Sequence, residues 1–388
     1  MEALLRRLVS LKSDPRVRKI AGHVAYVLFV FAFVEVSLQI FYYMMAGDFL
    51  FRRDAPPLYQ SEPYAGYGNR RDLSYVQHTN EFTAHYDINH EGFRVPEPNL
   101  EYTPEKPAGT YRILLLGPSF AYGWGVDYKD SFAAQLPRIL KQRGFAGGRK
   151  IELINAGVPS LQPAPQLNWY NHVGKKYHPD LVIQFIYASM AEPSDPPSHY
   201  AADAKGYLID KNMTAGQRWR ERAKQFATVF YGWTVWTDFD AWLHAESGSQ
   251  NGAVRGAGRN LIQESGFSVE KPAVRKATAF YRRLARTVEK SGAQLQIVYF
   301  PLSYAIYPAD KSRWRHLGVR NVAAQKAFDS AFVDYLNKQN IPAVDITDDL
   351  LKASEQEKRL YYWLDIHWTP AGNAAAARAV ADALSSPR

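Results

Sequence analysis

The sequence predicts an α/β fold: a three-layer sandwich around a parallel central sheet, preceded by a single N-terminal transmembrane helix. Short apolar runs at 112–116, 151–155, 181–187, 294–300 and 343–346 alternate with stretches of helical pattern. That alternation suits parallel strands buried on both faces by crossover helices. One further apolar run, Ile20 to Met45, stands apart near the N-terminus. With 388 residues and 46% hydrophobic content, the chain has material for one large domain with appendages.

The run IAGHVAYVLFVFAFVEVSLQIFYYMM is long enough to cross a hydrocarbon core of about 30 Å as a helix. Tyr42 and Tyr43 stand where an interfacial aromatic belt is expected. Six basic residues precede it (Arg6, Arg7, Lys12, Arg16, Arg18 and Lys19), so the positive-inside rule puts the N-terminus in the cytoplasm. The bulk of the chain is then periplasmic or otherwise extracytoplasmic, held on the inner membrane by one pass. A cleaved signal peptide and a buried helix of a soluble domain are the competing readings; the run is long for a signal peptide, and no clear small-x-small cleavage site follows it. Glu35 lies within the span. A carboxyl there either faces another membrane protein, such as a multi-pass partner, or sits protonated or hydrated in a lone helix.

Residues 1–19 are thus read as a basic cytoplasmic tail and 20–46 as the membrane helix. Residues 47–108 are read as a connector with short strands, punctuated by Pro56, Pro57, Pro104 and Pro107. Within it, NHEGFR (89–94) reads as a specific turn in which Gly92 takes an unusual backbone angle, either purely structural or at the rim of the site. Residues 109–388 form the α/β domain, with helices expected near 131–142, 164–176, 272–290, 321–338 and 369–384. An insertion at about 193–270 breaks the alternation. It carries a helix near 214–228 and an aromatic cluster of Phe230, Tyr231, Trp233, Trp236, Phe239 and Trp242.

The chain contains no cysteine, which removes disulfides, thiolate metal sites and a cysteine nucleophile. The net charge is +9. Part of it is concentrated before the membrane run, and no basic stripe with interleaved aromatics follows, so nucleic-acid binding is not expected. No His/Asp/Glu cluster has metal-ligand spacing, and no cofactor is implied.

Three short segments carry the chemistry. Gly117-Pro118-Ser119-Phe120 directly follows the first strand, and in open α/β sheets sites form at the carboxyl ends of strands. A serine hydroxyl is a poor nucleophile until a base takes its proton. Asp365-Ile366-His367 precedes the last helix. On an extended loop, i and i+2 side chains share one side, so Asp365 can hold the ring nitrogen of His367 that faces away from a serine. Asn155 to Ser160 (NAGVPS) follows the second strand, and the backbone N–H of Gly157 is available to a developing oxyanion.

Together, LLLGPSFAYGWGV (114–126), NAGVPS (155–160) and DIHWTPAGN (365–373) resemble the SGNH, or GDSL-type, hydrolase superfamily over about residues 109–388, with 193–270 matching poorly. FAYGWGVDYKDSF (120–132) is similar to the membrane-attached members. The resemblance implies Ser119 as nucleophile, His367 as general base, Asp365 as its orienter, and the N–H groups of Ser119 and Gly157 in the oxyanion hole. Two positions depart from the pattern. Pro118 stands where the family has an acidic residue. The third strand runs into Ala188, Ser189, Met190, Ala191 and Glu192, without the family's oxyanion-hole Asn; Ser189 is the substitute donor in reach by sequence.

Three functions follow from these residues. The first is an esterase removing acyl groups, acetyl foremost, from a glycan. The second is an O-acyltransferase acting on a polysaccharide beside a multi-pass membrane partner. The third is a non-catalytic scaffold that retains the fold.

Overall fold

The computed structural model describes residues 15–46, 49–52, 56–187, 200–246, 267–310 and 322–385. They belong to two compact units. Met1–Asp54 and Met213–Ala253 make up one, and Ala55–Asn212 with Val254–Arg388 the other.

Along the chain, α1 (Pro15–Ala46) is followed by five short strands: β1 (Tyr59–Glu62), β2 (Gly66–Asn69), β3 (Leu73–His78), β4 (Thr83–Ile88) and β5 (Arg94–Val95). Then come β6 (Thr110–Leu116), the one-turn helix α2 (Ser119–Tyr122), α3 (Phe132–Gln142), β7 (Lys150–Asn155), α4 (Pro163–His172) and β8 (Leu181–Ile186). A ribbon of β9 (Tyr200–Ala202) and β10 (Leu208–Asp210) precedes α5 (Ala215–Ala223) and α6 (Ala227–Glu246). The alternation resumes with α7 (Pro272–Lys290), β11 (Gln294–Tyr299), α8 (Ser303–Ile306) and α9 (Val322–Lys338). It ends with β12 (Ala343–Asp345), α10 (Thr347–Gln356) and α11 (Pro370–Ser385).

In the larger unit the central sheet runs β12-β11-β8-β6-β7-β5-β4-β3. The five strands expected from the apolar runs pair in parallel. β6 is buried at every residue, and its side chains alternate between two cores. Leu114 and Leu116 join α4, α7 and α9 on one face, while Ile113 and Leu115 join α3, α10 and α11 on the other. α7 shows the logic of a covering helix. Its buried Val274, Ala277, Tyr281, Leu284 and Val288 recur every three or four residues, placing one apolar stripe on the sheet. α11 lines its buried face with Ala375, Ala376, Ala379 and Val380, whose small side chains let it lie close to α3.

Two parts of the expected organisation are corrected. Residues 73–95 do more than connect. β3, β4 and β5 add three antiparallel strands to the sheet, and β5 pairs with β7 through Arg94 and Asn155. Their alternating polar and apolar residues suit a sheet with one wet face, a pattern easily taken for irregular chain. The insertion is also divided. Its β9–β10 ribbon belongs to the larger unit, whereas α5 and α6 group with α1.

In that smaller unit α1 is a 32-residue helix, long and apolar enough to cross a membrane. Glu35 Oε1 accepts the backbone N–H of Ala227 at 2.7 Å, and Oε2 accepts the N–H and hydroxyl of Thr228 at 2.9 and 2.8 Å. These N–H groups open α6, where no intrahelical acceptor exists, and a carboxylate also complements the helix dipole there. Gln39 donates to Glu35 at 2.8 Å and to the Gln225 carbonyl at 2.9 Å. Glu35, for which the sequence left open a membrane partner or a protonated or hydrated state in a lone helix, finds these hydrogen-bond partners on α6 of its own chain.

One buried acid in the larger unit makes stability depend on pH. Burial pushes the Asp329 carboxyl up to about 7, although the Tyr299 hydroxyl and the Gln325 amide donate to it. The folded chain therefore keeps a proton that the unfolded chain sheds near pH 4. Its stabilising contribution is full below that pH and declines as pH rises towards 7. Denaturant midpoints are expected to fall between pH 5 and 7. Asp329→Asn should flatten that slope; an unaltered slope would assign it to other groups.

Candidate active site

Ser119 begins α2 at the carboxyl end of β6. The turn needs Gly117, because a Cβ added there would lie 2.6 Å from Phe185 Cβ and 2.7 Å from Ala121 Cβ. Four residues make a poor helix by themselves, since nucleation is not recovered over one turn. Tertiary contacts hold it instead. The guanidinium of Arg94, buried in β5, donates to the carbonyls of Tyr122, Gly123 and Val126 at 2.7, 2.5 and 2.6 Å. Asn155 Nδ2 donates to the Ala121 carbonyl at 3.0 Å and the Tyr122 carbonyl at 3.3 Å. The carbonyl end of α2 is therefore satisfied by a cation and an amide, with a charge sign that suits a helix C-terminus.

His367 and Asp365 lie on the loop between α10 and α11. Tyr361 and Trp368 close it with an antiparallel bridge, and the Tyr362 N–H donates to the His367 carbonyl at 3.0 Å. At its tip, the carboxylate of Glu81, between β3 and β4, accepts three successive N–H groups. Oε1 accepts Trp363, and Oε2 accepts Leu364 and Asp365 at 2.7 and 2.6 Å. Phe82 packs on Tyr362 with ring centroids 5.0 Å apart. The Tyr362 hydroxyl donates to the Gly125 carbonyl at 2.7 Å, joining this loop to the one after Ser119.

These supports bring together groups 248 residues apart. His367 Nε2 lies 2.6 Å from Ser119 Oγ, and His367 Nδ1 lies 2.5 Å from Asp365 Oδ1. An ionised carboxylate only accepts, so Nδ1 carries the proton and Nε2 presents its lone pair to the serine hydroxyl. The second Asp365 oxygen accepts Trp124 Nε1–H at 3.2 Å, and Asp365 Oδ1 also accepts the His367 N–H at 2.9 Å. Burial pushes the Asp365 carboxyl up, but the electrostatic interaction with His367 and these hydrogen bonds outweigh it and hold the group below its ordinary range. The imidazole sits between the rings of Phe120 (4.8 Å) and Trp124 (5.6 Å) and is 9% exposed, whereas Ser119 is only half-buried. A base shielded by aromatics beside a reachable alcohol is the geometry of nucleophilic catalysis.

The other expected residues are placed differently. The Gly157 N–H donates to Asn155 Oδ1 at 3.0 Å, so it reaches an oxyanion only by sharing or releasing that bond. What the position requires of glycine is space, since an added Cβ would lie 2.4 Å from Tyr122 N. Ser189 lies outside the described residues. The Ser119 N–H stands in the first turn of α2, where no intrahelical acceptor is available. Sequence reasoning missed Glu81, Arg94, Trp124 and Asn155 as supports of the site. Arg94 was visible only within the NHEGFR turn, whose alternative reading was the rim of the site, and Glu81 had no local signal.

Residues 261–387 match the family model described as the SGNH hydrolase-like domain of the acetyltransferase AlgX. That part of the chain is thus similar to an SGNH hydrolase-like domain. The matched stretch includes Asp365 and His367 and begins well after Ser119 in sequence. No curated protein sequence matches the chain. Among solved structures, the chain is similar to the acetyl xylan esterase AlAXEase, at 12% identity, TM-score 0.38, 70% of this chain and 99% of the other. TesA gives 12% identity and TM-score 0.37 over 71% and 98%. A mutant of the acetylxylan esterase Axe2 from Geobacillus stearothermophilus gives 11% and 0.38 over 74% and 98%.

Proposed function

We propose that the chain is a membrane-anchored, extracytoplasmic serine esterase of the SGNH type that removes acyl groups, acetyl foremost, from a glycan. The observation that carries the reading is the unbroken hydrogen-bonded series from Ser119 Oγ through His367 to Asp365. In the proposed reaction Ser119 Oγ attacks the acyl carbon as its proton passes to His367 Nε2. Charge developing on the carbonyl oxygen is met by the Ser119 N–H, with Gly157 as a second donor once freed from Asn155. The imidazolium, stabilised by Asp365, returns the proton to the departing sugar oxygen. Water, deprotonated by His367, then cleaves the acyl-serine.

The anchor and location rest on α1 and the six basic residues before it, which favour a cytoplasmic N-terminus in the inner membrane. The likeness to an acetyltransferase domain favours a second reading, in which a polysaccharide hydroxyl replaces water at the acyl-serine. A multi-pass acyl donor would then be needed beside α1. Labelling with a fluorophosphonate tests the common first step. Ser119 is expected to react, and its failure to do so while a control serine hydrolase is labelled would leave the scaffold reading. Incubation with an acyl donor and an oligosaccharide separates the others, since new ester on the sugar identifies transfer.

Trp363 supports a glycan as the acyl carrier. Its ring is 64% exposed, yet it lies 3.7 Å from the Arg359 guanidinium, which also stacks on Tyr307 and pairs with buried Asp310 at 2.5 Å. A held, outward-facing indole two residues before Asp365 suits the apolar face of a sugar ring. Trp363→Ala is expected to raise KM for an acetylated xylo-oligosaccharide on the order of tenfold, the equivalent of ~1.4 kcal/mol of lost stacking. Turnover of p-nitrophenyl acetate should not change. Equal losses on both esters would instead place Trp363 among the supports of the triad.

A further inference from the structure

The smaller unit contains a surface that the proposed chemistry does not use. α6 does not merely touch α1; it begins on α1's own polar residues, Glu35 and Gln39. Beyond them Tyr42 packs on Phe230 and Phe41 on Tyr231, with centroids 5.8 and 6.0 Å apart, so the contact between the two helices continues past Gln39. Ile20 to Gln39 is a 20-residue stretch, about 30 Å of helix and so about one hydrocarbon core. Gln39 then falls at the boundary of that core, and Glu35 lies about 6 Å inside it. The first turn of α6 is fixed at the same depth.

The side chains around this point suit that position. Ala227 to Trp236 contain no charged residue, and Val229, Trp233, Val235 and Trp236 are exposed together with Phe226. Trp219, on α5, is 74% exposed. α5 also carries Arg218, Arg220 and Arg222, with Lys224 just beyond it and Glu221 as the acid among them. Arg220 and Lys224 each lie 5.6 Å over the Trp233 ring. In water such a surface exposes four large rings, Trp219, Phe226, Trp233 and Trp236. At a membrane interface, indoles sit at headgroup level, aliphatic side chains reach the acyl boundary, and Arg and Lys meet phosphates.

We propose that the start of α6, with α5 folded against it, is sunk into the interface of the bilayer that α1 crosses, in the leaflet where α1 emerges. The occupant of the exposed aromatic surface is phospholipid, continuous with the lipid around α1. Glu35 and Gln39 make this geometry affordable, because they satisfy the backbone groups at the start of α6 where water is scarce. The inference rests on the reading of α1 as a membrane span.

The absence of native cysteine makes the test direct. Single nitroxide labels are placed at Val235→Cys and Trp236→Cys in α6, at Phe29→Cys in α1, and at Val76→Cys, an exposed position of β3. The full chain is held in nanodiscs of phosphatidylethanolamine and phosphatidylglycerol, and collisions with oxygen and with a water-soluble nickel chelate are measured. At least one α6 label is expected to show an oxygen-to-nickel ratio several-fold above that at Val76, between Val76 and Phe29. Both α6 labels matching Val76 would overturn the inference, and so would both being shielded from oxygen as well as nickel, which means protein covers the surface. If Phe29 itself reads as aqueous, the span reading fails and the inference falls with it. If Phe29 is in lipid and both α6 labels are aqueous, only the inference fails.

Discussion

Ser119→Ala and His367→Ala are each expected to lower kcat on an acetyl ester by about 10⁴–10⁶, with KM little changed. The reason is the 2.6 Å contact between Oγ and Nε2: the alcohol is a nucleophile only while that proton has a place to go. Asp365→Asn should cost about 10⁴, because an amide in place of the carboxylate favours the wrong imidazole tautomer. The double variant Ser119→Ala/His367→Ala should be scarcely worse than either single one, since each alone already removes the proton transfer. Steady-state kinetics on p-nitrophenyl acetate, with circular dichroism to establish folding, measure all four variants. Multiplicative losses in the double variant would mean that the two residues act separately.

Glu81→Ala should reduce kcat on the order of 10²-fold while leaving KM for p-nitrophenyl acetate nearly constant. Glu81 touches neither Ser119 nor His367. It collects the N–H groups of Trp363, Leu364 and Asp365, and hydrogen bonds to a charged group contribute about 1.5–3 kcal/mol each when well made. Without them the loop tip loses its anchor, and Asp365 drifts from the ring it orients. Glu81→Gln, which retains an acceptor oxygen but no charge, should fall between the two. The split between kcat and KM separates positioning from global damage. Equal falls in kcat, in folded fraction and in thermal midpoint would reduce Glu81 to a stabilising contact.

The parallel core was legible in the sequence because its signal is local. A strand buried on both faces must be apolar at nearly every position, and the runs at 112–116 and 181–187 satisfy that without reference to anything else. Helix positions such as 272–290 followed from a stripe repeating every three or four residues. β3, β4 and β5 were less legible, because strands wet on one face alternate polar and apolar residues and resemble a Pro-punctuated connector. The division of the insertion was hidden for a different reason. The aromatics of α6 are apolar whether they meet a sheet, a second helix or lipid, so composition did not reveal that α6 starts on Glu35.

The sequence by itself determined which atoms were available: an alcohol after a strand, an imidazole and a carboxylate two residues apart, and a long apolar helix with basic residues before it. It also bounded the chemistry, since a chain without cysteine has no thiol to use. Only the tertiary structure decided which of these groups meet. Proton sharing requires heavy atoms within about 3 Å, and that distance across 248 residues is set by the sum of many remote contacts. Glu81 on the loop tip and Arg94 beneath the serine turn are two of them. Neither has a neighbour in sequence that betrays its partner, because side-chain to backbone bonds between distant segments leave no periodic trace.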